Sequence, residues 1–244
     1  MPTSEDSPHP ANRRHNAGPP VDVVLPCRDE AAALPDLLGR ISRLPGDYRA
    51  IVVDNGSRDG TAQVAADFGA VVVHEPRPGY GAAVHAGIVA ARPGPVAVLD
   101  GDGSLDPADL PPLVELVVRG LADLAVGRRR PVGRGAWPAH ARLGTWLIAL
   151  NLRRHGVPVH DIAPLRVADR NRLLALGVTD RRSGYPLELL LRAGAADWRI
   201  TERDVTYRPR AANTRSKVSG SLRGTLTAAA DFGTVLRSER AVGR

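Results

Sequence analysis

Two aspartates one residue apart, Asp100 and Asp102, directly follow the apolar run at residues 96–99. Carboxylates with this spacing at the end of a strand can share a hard divalent cation, one through its own oxygens and the other through water. Mg²⁺ or Mn²⁺ held in this way takes one or two protein carboxylates and completes its shell with substrate phosphates. The cation then neutralises a departing diphosphate, which is Lewis-acid catalysis. An isolated Asp-x-Asp is more often an acidic turn, so this interpretation depends on the neighbouring motifs.

A second polar cluster begins at Asp54, directly after another apolar run. Asp54 can open an Asx-type turn, and its carboxylate can accept hydrogen bonds from a nucleobase or a ribose. Asp59 and Thr61 follow, and we interpret them as the cap of the next helix. The same residues would also make an ordinary strand-turn-helix connection. Both interpretations are open from this cluster alone.

The alternation of short apolar runs with helical patterns predicts how these loops meet. Val-rich runs bounded by turn residues predict buried strands, and these lie at 21–26, 50–54, 70–74, 95–100 and 123–127. Apolar residues three and four apart predict helices, and these lie at 30–43, 61–68, 81–91 and 107–119. The β-α-β-α order predicts an α/β fold with a doubly wound, mainly parallel sheet. Ligands bind at the carboxyl ends of the strands in such sheets, so the acidic loops would converge on one edge.

The pattern changes after residue 127. Further elements follow a basic stretch rich in Gly and Pro: helices at 139–154, 171–176 and 185–193, a strand at 198–207 and a helical stripe at 217–237. Residues 161–170 form a separate segment to which we assign no element. We expect a proline-rich, disordered lead at 1–20. The rest, 21–237, is predicted to be a single domain in which the half 128–237 packs on the half 21–127.

Composition excludes several classes of protein. The 43% hydrophobic fraction excludes a chain that is disordered throughout. The 33 basic and 26 acidic residues leave a net charge of +7, which permits an anionic partner such as a nucleotide or a phospholipid. No nucleic-acid motif and no interleaved aromatic residues accompany this charge, so we expect no nucleic-acid partner. The single cysteine, Cys27, cannot form an intramolecular disulfide, which fits a reducing, cytoplasmic compartment.

Two apolar features receive structural interpretations. We interpret Cys27 as a small buried side chain rather than a nucleophile. The longest strongly apolar stretch, residues 143–152, is too short for a membrane-spanning helix, which needs about 20 residues. Its large side chains favour a place in the core over membrane contact, and they are Leu143, Trp146, Leu147 and Leu150.

The motifs taken together resemble those of family 2 glycosyltransferases, which have the GT-A fold. In the first half the matching residues are Val23-Val24-Leu25-Pro26 with Glu30, 52–61, Gly79-Tyr80-Gly81 and 99–102. The second half is similar to the branch of dolichyl- and polyprenyl-phosphate mannose synthases. Its matching residues are 127–129, 161–166, Gly184-Tyr185 with Glu188, 208–210 and 215–220. The resemblance covers residues 21–227, in order and at consistent spacing.

The resemblance implies that the half 21–127 binds the nucleotide sugar. Its implied nucleotide pocket is lined by Pro26, Glu30 and Asp54, and its implied metal ligands are Asp100 and Asp102 with Ser104 beside them. Arg28 stands where the family often has an aromatic residue, and we count it among the substrate-binding candidates. Two other departures are Asn55, which replaces a common Asp but keeps hydrogen-bonding capacity, and Gly101, which replaces a residue that is usually Ala with little expected consequence.

The resemblance also implies that the half 128–237 binds the acceptor. Arg129 and Arg166 match arginines that meet the phosphates of acceptor and donor, and Asp161 joins the substrate-binding candidates. Glu188 matches a helix-borne acid near the reacting centre. The implied mobile loop of the active site contains Arg210, Ser216 and Lys217.

The implied reaction is the inverting transfer of glucose or mannose from a UDP- or GDP-hexose to a polyprenyl phosphate, with Mg²⁺ or Mn²⁺ as cofactor. The acceptor phosphate is already anionic, so catalysis would consist mainly of positioning and charge neutralisation. A lipid acceptor also implies peripheral contact with the cytoplasmic face of the membrane. One alternative is the same chemistry on a soluble acceptor, in which Glu188 or Asp161 could be the general base. The other is a non-catalytic nucleotide-binding module, against which the intact carboxylates argue.

Overall fold

The computed structural model describes residues 18–133, 136–162 and 164–209. The strands in these ranges are β1 (Val21–Cys27), β2 (Tyr48–Asp54), β3 (Val71–His74), β4 (Pro95–Val98), β5 (Leu124–Pro131), β6 (Leu165–Asp169) and β7 (Ile200–Tyr207). The helices are α1 (Leu34–Ile41), α2 (Thr61–Asp67), α3 (Tyr80–Ala90), α4 (Leu110–Val118), α5 (Ala139–Arg154), α6 (Arg170–Ala175) and α7 (Tyr185–Ala195), with a 3₁₀ turn at Pro107–Asp109 before α4. Most of the predicted lead at residues 1–20 lies outside the described residues. The predicted helical stripe at 217–237 lies outside them entirely.

The strands form one sheet in the order β3-β2-β1-β4-β6-β5-β7, so strands from both halves of the chain share it. β1 pairs in parallel with β2 and β4, and β2 pairs in parallel with β3. The predicted α/β fold with a mainly parallel sheet is confirmed. The carboxyl ends of β1, β2 and β4 therefore meet at one edge, which is where ligands bind in such sheets.

β6 is the strand that the sequence did not predict. It runs antiparallel to both of its neighbours, β4 and β5, in the second half of the sheet. The segment is five residues long and carries a charge at its second position, so its apolar run is too short to stand out as a strand. Its insertion places Arg166 in the middle of the sheet, opposite Val98 of β4 and Val126 of β5.

Apolar side chains cover both faces of the sheet. Alternate residues of a strand point to opposite faces, and in β1 Val24 belongs to one core cluster while Val23 and Leu25 belong to the other. The first cluster packs α3 and α7 on the sheet, and the second packs α1 and α4. The sheet is thus the middle layer of an α/β/α arrangement, which fixes its carboxyl edge as a rigid platform for the site.

The apolar stripe of α5 departs from expectation. Leu143 is 58% exposed, and Trp146 and Leu147 are each 52% exposed, so the interpretation of these residues as core is wrong. The helix instead buries Thr145, Ala149 and Leu152, which lie on a different face. Within the described ranges, no helix is both long and apolar enough to cross a membrane.

Candidate active site

The carboxylates at the carboxyl edge of the sheet surround the end of β1. Cys27 pairs with Asp54 of β2, and the Asn55 amide donates to the Cys27 carbonyl at 2.9 Å. The thiol of Cys27 is buried and free, as predicted. Burial raises its pKa well above the ordinary value, and the negative charges of four nearby carboxylates, Glu30, Asp102, Asp54 and Asp100, raise it further. The structure therefore brings together the four acidic residues that the sequence placed at this edge.

Asp54 makes the turn that the sequence predicted. Its Oδ1 accepts the backbone N–H of Ser57 at 3.0 Å, and its Oδ2 lies 3.4 Å from Nδ1 of His74. Two hydrogen bonds join the turn after β1 to the turn after β2. The Asp29 amide donates to Ser57 Oγ at 3.0 Å, and Asp29 Oδ1 accepts the Arg58 amide at 2.8 Å. Asp29 takes up left-handed backbone, with a φ of 52°.

Asp59 and Thr61 connect the same two loops. The N-cap of α2 is Gly60, and no side chain makes a capping hydrogen bond there, so the interpretation of Asp59 and Thr61 as the cap is wrong. Asp59 instead accepts the N–H of Thr61, the first residue of α2, and the amide of Ala31, each at 3.0 Å. Thr61 Oγ1 accepts the amide of Glu30 at 2.9 Å. These bonds fix the loop that carries Arg28 and Glu30 against the loop that follows Asp54. Within this pair of loops Arg28 is exposed, whereas Pro26 and Glu30 are partly buried.

The loop after β4 is built around buried polar groups. Asp102 is 6% exposed, and its Oδ1 accepts the backbone N–H of Ser104 at 3.0 Å. Ser104 is buried too, and its carbonyl accepts the amide of Arg208 at 2.8 Å. Leu105 forms a β-bridge with Tyr207. The loop is therefore fixed to the end of β7, two residues before the described part of the chain ends at residue 209.

Gly101 is in close contact with Cys27. A Cβ at position 101 would lie 2.3 Å from the Cys27 Sγ and 3.4 Å from the Pro26 carbonyl oxygen. The expectation that glycine here has little consequence is wrong, because the thiol occupies the space that a methyl group would need.

Tyr80, at the start of α3, lies between two predicted site residues. Its Oη is 3.2 Å from Oδ1 of Asp100 and 3.2 Å from Nη2 of Arg166. Arg166 is 3% exposed, and its guanidinium carbon lies 5.8 Å from the centre of the Tyr80 ring. Although Gly79-Tyr80-Gly81 was part of the resemblance, Tyr80 was not among the predicted site residues. Its contacts join α3 to β6 and to the loop after β4. These elements are far apart in the sequence, so the spacing of residues could not predict the contacts.

Arg129 and Asp161 form a two-pronged ion pair. Arg129 Nε and Nη2 donate to the two carboxylate oxygens at 2.9 and 2.7 Å, and the Arg129 amide donates to Asp161 Oδ2 at 2.9 Å. The guanidinium carbon lies 4.0 Å from the ring centre of Trp137 and 5.4 Å from that of Tyr207. The structure thus places two predicted site residues together, and the ion pair leaves Nη1 as the nitrogen of Arg129 that Asp161 does not engage.

Glu188 lies beneath the loop at residues 179–182. Its Oε1 accepts the amide of Thr179 at 2.8 Å and Nε of Arg192 at 2.7 Å, and its Oε2 accepts the amide of Asp180 at 2.6 Å. Burial alone would raise the pKa of Glu188, but these donors hold the pKa below the ordinary value for a glutamate. A carboxylate stabilised in this way is a poor proton acceptor. Its contacts support a role in holding the loop.

We expect Glu188→Gln to lower the free energy of unfolding by about 1–3 kcal/mol, because the new NH₂ group would face a backbone donor that the carboxylate now accepts. The carboxylate contributes its stability above the ordinary pKa of glutamate and loses it in acid, so the difference should shrink as the pH falls. Thermal unfolding and pH–rate profiles of both forms check this. A variant as stable as the parent that loses the acid limb of the rate profile would instead make Glu188 the general base.

Arg210, Ser216 and Lys217 lie outside the described residues. Their implied roles therefore stay predictions. The same applies to the ligands and roles of the other candidates, whose positions are described above.

Comparisons with known proteins agree with this arrangement. The family model described as glycosyl transferase family 2 matches residues 22–167. An uncharacterized glycosyltransferase of Mycobacterium tuberculosis is 59% identical over 221 residues, which are 90% of this chain and 99% of the relative. A polyprenol monophosphomannose synthase of Mycolicibacterium smegmatis is 32% identical over 241 residues, which are 91% of this chain and 89% of the relative.

The fold is also similar to that of a solved enzyme. Glucosyl-3-phosphoglycerate synthase from Mycobacterium tuberculosis, in complex with Mn²⁺, UDP and glucosyl-3-phosphoglycerate, matches with a TM-score of 0.70 and 25% identity. The match covers 90% of this chain and 79% of the synthase. Together with the sheet order and the acidic edge, these similarities establish the GT-A fold that the motifs predicted. The chain belongs to glycosyl transferase family 2, and it is a glycosyltransferase.

Proposed function

We propose that this glycosyltransferase uses a divalent cation to transfer a hexose from a UDP- or GDP-hexose to a phosphate group of its acceptor, with inversion at the anomeric carbon. The observation that carries the proposal is the group of four acidic side chains, Glu30, Asp54, Asp100 and Asp102, around the end of β1. Carboxylates at the carboxyl edge of an α/β sheet suit both a nucleoside and the cation that accompanies its diphosphate. The solved synthase with UDP and Mn²⁺ supports the same choice of donor and metal.

The donor set fits Mg²⁺ or Mn²⁺. Asp100 and Asp102 offer only oxygen ligands, which hard cations prefer. Among the described residues, no three His, Cys, Asp or Glu side chains are grouped to hold a metal. A cation held by these two aspartates would therefore complete its shell with diphosphate oxygens and water. When bound, it would supply Lewis-acid stabilisation of the charge that develops on the departing diphosphate.

The protein's own residues would bind and orient the two substrates. In this proposal Asp54 accepts hydrogen bonds from the nucleoside, and Arg166, which the Tyr80 hydroxyl links to Asp100, binds a phosphate. An acceptor phosphate oxygen would attack the anomeric carbon, and the bond from that carbon to the diphosphate would break with its electron pair on the leaving oxygen. The attacking oxygen is already anionic, so no base need remove a proton. The depressed pKa of Glu188 agrees with a mechanism that needs no base.

We place a polyprenyl phosphate first among acceptors. The similarity to polyprenol monophosphomannose synthase supports it. So does the exposed apolar face of α5, formed by Leu143, Trp146 and Leu147, on the acceptor half of the chain. A prenyl chain would also hold the enzyme at the cytoplasmic surface of the membrane, because each buried CH₂ contributes about 0.8 kcal/mol.

A soluble phosphorylated acceptor is the second candidate. The likeness to glucosyl-3-phosphoglycerate synthase, over 90% of this chain, favours it. Both candidates carry an anionic phosphate that could meet Arg166 and Nη1 of Arg129, the nitrogen that Asp161 does not engage. The two acceptors differ because only the polyprenyl phosphate has an apolar chain, which could contact the exposed apolar face of α5.

The test is a grid of donors and acceptors with the full-length chain. The four donors are UDP-glucose, UDP-mannose, GDP-glucose and GDP-mannose. Each is incubated with the enzyme, Mn²⁺ and one of two acceptors, a short-chain polyprenyl phosphate or 3-phosphoglycerate. We expect one donor to give a β-linked product from an α-linked sugar, with the lipid as the better acceptor. Turnover of 3-phosphoglycerate alone would replace the lipid by the soluble acceptor. Transfer that is equal with and without metal would overturn the role of the cation.

A further inference from the structure

We infer that Trp137 is a positioning residue, which together with the carboxylate of Asp161 holds the guanidinium of Arg129 in the orientation that receives the acceptor phosphate. The inference rests on the proposed function, in which Arg129 meets that phosphate. It adds an aromatic residue to those on which acceptor binding depends, and this residue acts through the arginine rather than by touching the acceptor.

Asp161 fixes one edge of the guanidinium. Nε and Nη2 of Arg129 donate to its two oxygens at 2.9 and 2.7 Å, so the remaining corner of the group is Nη1. The carboxylate is itself held in place, because it is buried and accepts the amides of Arg129 and Ile162 at 2.9 and 2.7 Å. The ion pair therefore sets which edge of the guanidinium faces inward. It does not prevent the group from tilting about the line that joins it to the carboxylate.

The ring of Trp137 prevents that tilt, because it covers the flat face of the same group. The guanidinium carbon of Arg129 lies 4.0 Å from the centre of the ring, well within the range of a cation–π contact. The Tyr207 ring supports this arrangement from the side. Its centre is 5.4 Å from the guanidinium carbon and 5.9 Å from the centre of the Trp137 ring, which it meets edge to face at 64°. One carboxylate and one ring thus define both the edge and the plane of the guanidinium.

Backbone contacts tie this aromatic pair to the loop of the proposed metal ligands. Leu105, in the loop after β4, forms a β-bridge with Tyr207. The next residue, Arg208, donates its amide to the carbonyl of Ser104 at 2.8 Å. The ring that supports Trp137 is therefore fixed against the loop at which the diphosphate would depart.

Electrostatics also relate Arg129 to the acidic edge. Burial lowers the pKa of Arg129, but the hydrogen bond and the charge of Asp161 raise it above the ordinary value for an arginine. The charges of Tyr207 and Asp100 act in the same direction. Arg129 is thus within electrostatic reach of a proposed metal ligand, where acceptor and donor must meet. Orientation matters there, because misplacing a reacting group by about 1 Å can cost about 10²-fold in rate.

A second contact of the same composition provides a matched control. The guanidinium carbon of Arg172 lies 4.6 Å from the ring centre of Trp198, and Arg172 is paired with Asp123. Asp123 directly precedes β5, whereas Arg129 is near the other end of that strand. Trp137 and Trp198 are both partly buried. A substitution at Trp198 therefore removes the same kind of contact at a distance from the site.

The experiment compares Trp137→Met, Trp137→Phe and Trp198→Met with the parent enzyme. Methionine keeps an adaptable apolar side chain without a ring, and phenylalanine keeps a ring face. The acceptors are a short-chain polyprenyl phosphate and 3-phosphoglycerate, with Mn²⁺ and the donor that the parent uses. We expect Trp137→Met to raise the KM of the acceptor about tenfold, an effect in the range of a partly desolvated cation–π contact, and to leave the KM of the donor unchanged. Trp137→Phe should retain most of the affinity. Trp198→Met should lower the melting temperature and keep both KM values.

Fluorinated tryptophan gives a test that does not depend on how well the methionine variant folds. The chain has three tryptophans, so Trp146→Phe with Trp198→Phe leaves Trp137 as the only one. Each fluorine weakens the negative face of the ring and keeps its shape nearly unchanged. The KM of the acceptor should therefore rise step by step with the number of fluorines, measured against the same chain with ordinary tryptophan.

An acceptor KM that stays constant across the fluorinated series, or in a folded Trp137→Met, would overturn the inference. So would equal rises in the KM of acceptor and donor, or a rise in Trp198→Met as large as in Trp137→Met, since either indicates a general loss of structure. A parent enzyme that transfers sugar to neither acceptor would overturn the proposed function itself, and the inference with it.

Discussion

Asp102→Asn is expected to lower Mn²⁺-supported sugar transfer by about 10²- to 10³-fold, while the protein stays folded. Asparagine has nearly the same shape, and its carbonyl oxygen can still accept the Ser104 amide that Asp102 Oδ1 accepts at 3.0 Å. The loop should therefore keep its conformation. What is lost is the charge that holds a cation against the leaving diphosphate, an effect worth several kcal/mol. About 3–4 kcal/mol corresponds to the stated loss in rate.

The measurement is kcat at saturating donor over a range of Mn²⁺ concentrations. Asp106→Asn is a suitable control, because Asp106 follows in the same loop but accepts the Ala108 amide and lies 3.1 Å from Nη2 of Arg208. Its asparagine can still cap the 3₁₀ turn, and Asp106 is not one of the candidate metal ligands, so we expect activity within about threefold of the parent. Parental activity in Asp102→Asn would remove the metal from the mechanism.

The fold and the acidic edge could be predicted because their causes are local in the sequence. Val-rich runs bounded by turn residues mark the strands of the first half, and the parallel order then brings their carboxyl ends together. Asp54, Asp100 and Asp102 follow those strands directly, so each could be placed without knowledge of any distant contact. The turn at Asp54 follows from the same local chemistry, and the structure contains it.

The features that the sequence did not predict depend on contacts between distant segments. Tyr80 meets Arg166 across 86 residues of chain. Arg129 stacks on Trp137 and Tyr207, which come from a loop and from the end of β7. Such contacts produce no periodic pattern in the sequence, because each depends on how separate elements pack against one another. Glu188 was predicted from the resemblance as an acid near the reacting centre. The resemblance gave no indication that the amides of Thr179 and Asp180 donate to this carboxylate.

The contact between Gly101 and Cys27 leads to a prediction about stability. Gly101→Ala is expected to lower the free energy of unfolding by about 1–3 kcal/mol, the usual cost of adding a methyl group to a filled core. The methyl group would lie 2.3 Å from the Cys27 Sγ, far inside van der Waals contact. Because position 101 lies between Asp100 and Asp102, relief of the clash would displace both carboxylates. Mn²⁺ affinity should therefore fall together with the melting temperature.

Removing the thiol should reverse the effect. Cys27→Ala alone leaves a small cavity and costs stability, but in the double variant the methyl group added at position 101 can occupy that space. A double-mutant cycle isolates this coupling, which for residues in contact is about 0.5–3 kcal/mol. Gly144→Ala is the control for the methyl group itself, since nothing lies within 4 Å of a Cβ there, in the middle of α5. That variant should gain about 0.5–1 kcal/mol from helix propensity. Additive losses at 27 and 101 would mean that the thiol does not set the position of the aspartate loop. A favourable coupling would make Cys27 and Gly101 a matched pair, in which the absence of a side chain at one position accommodates the presence of sulfur at the other.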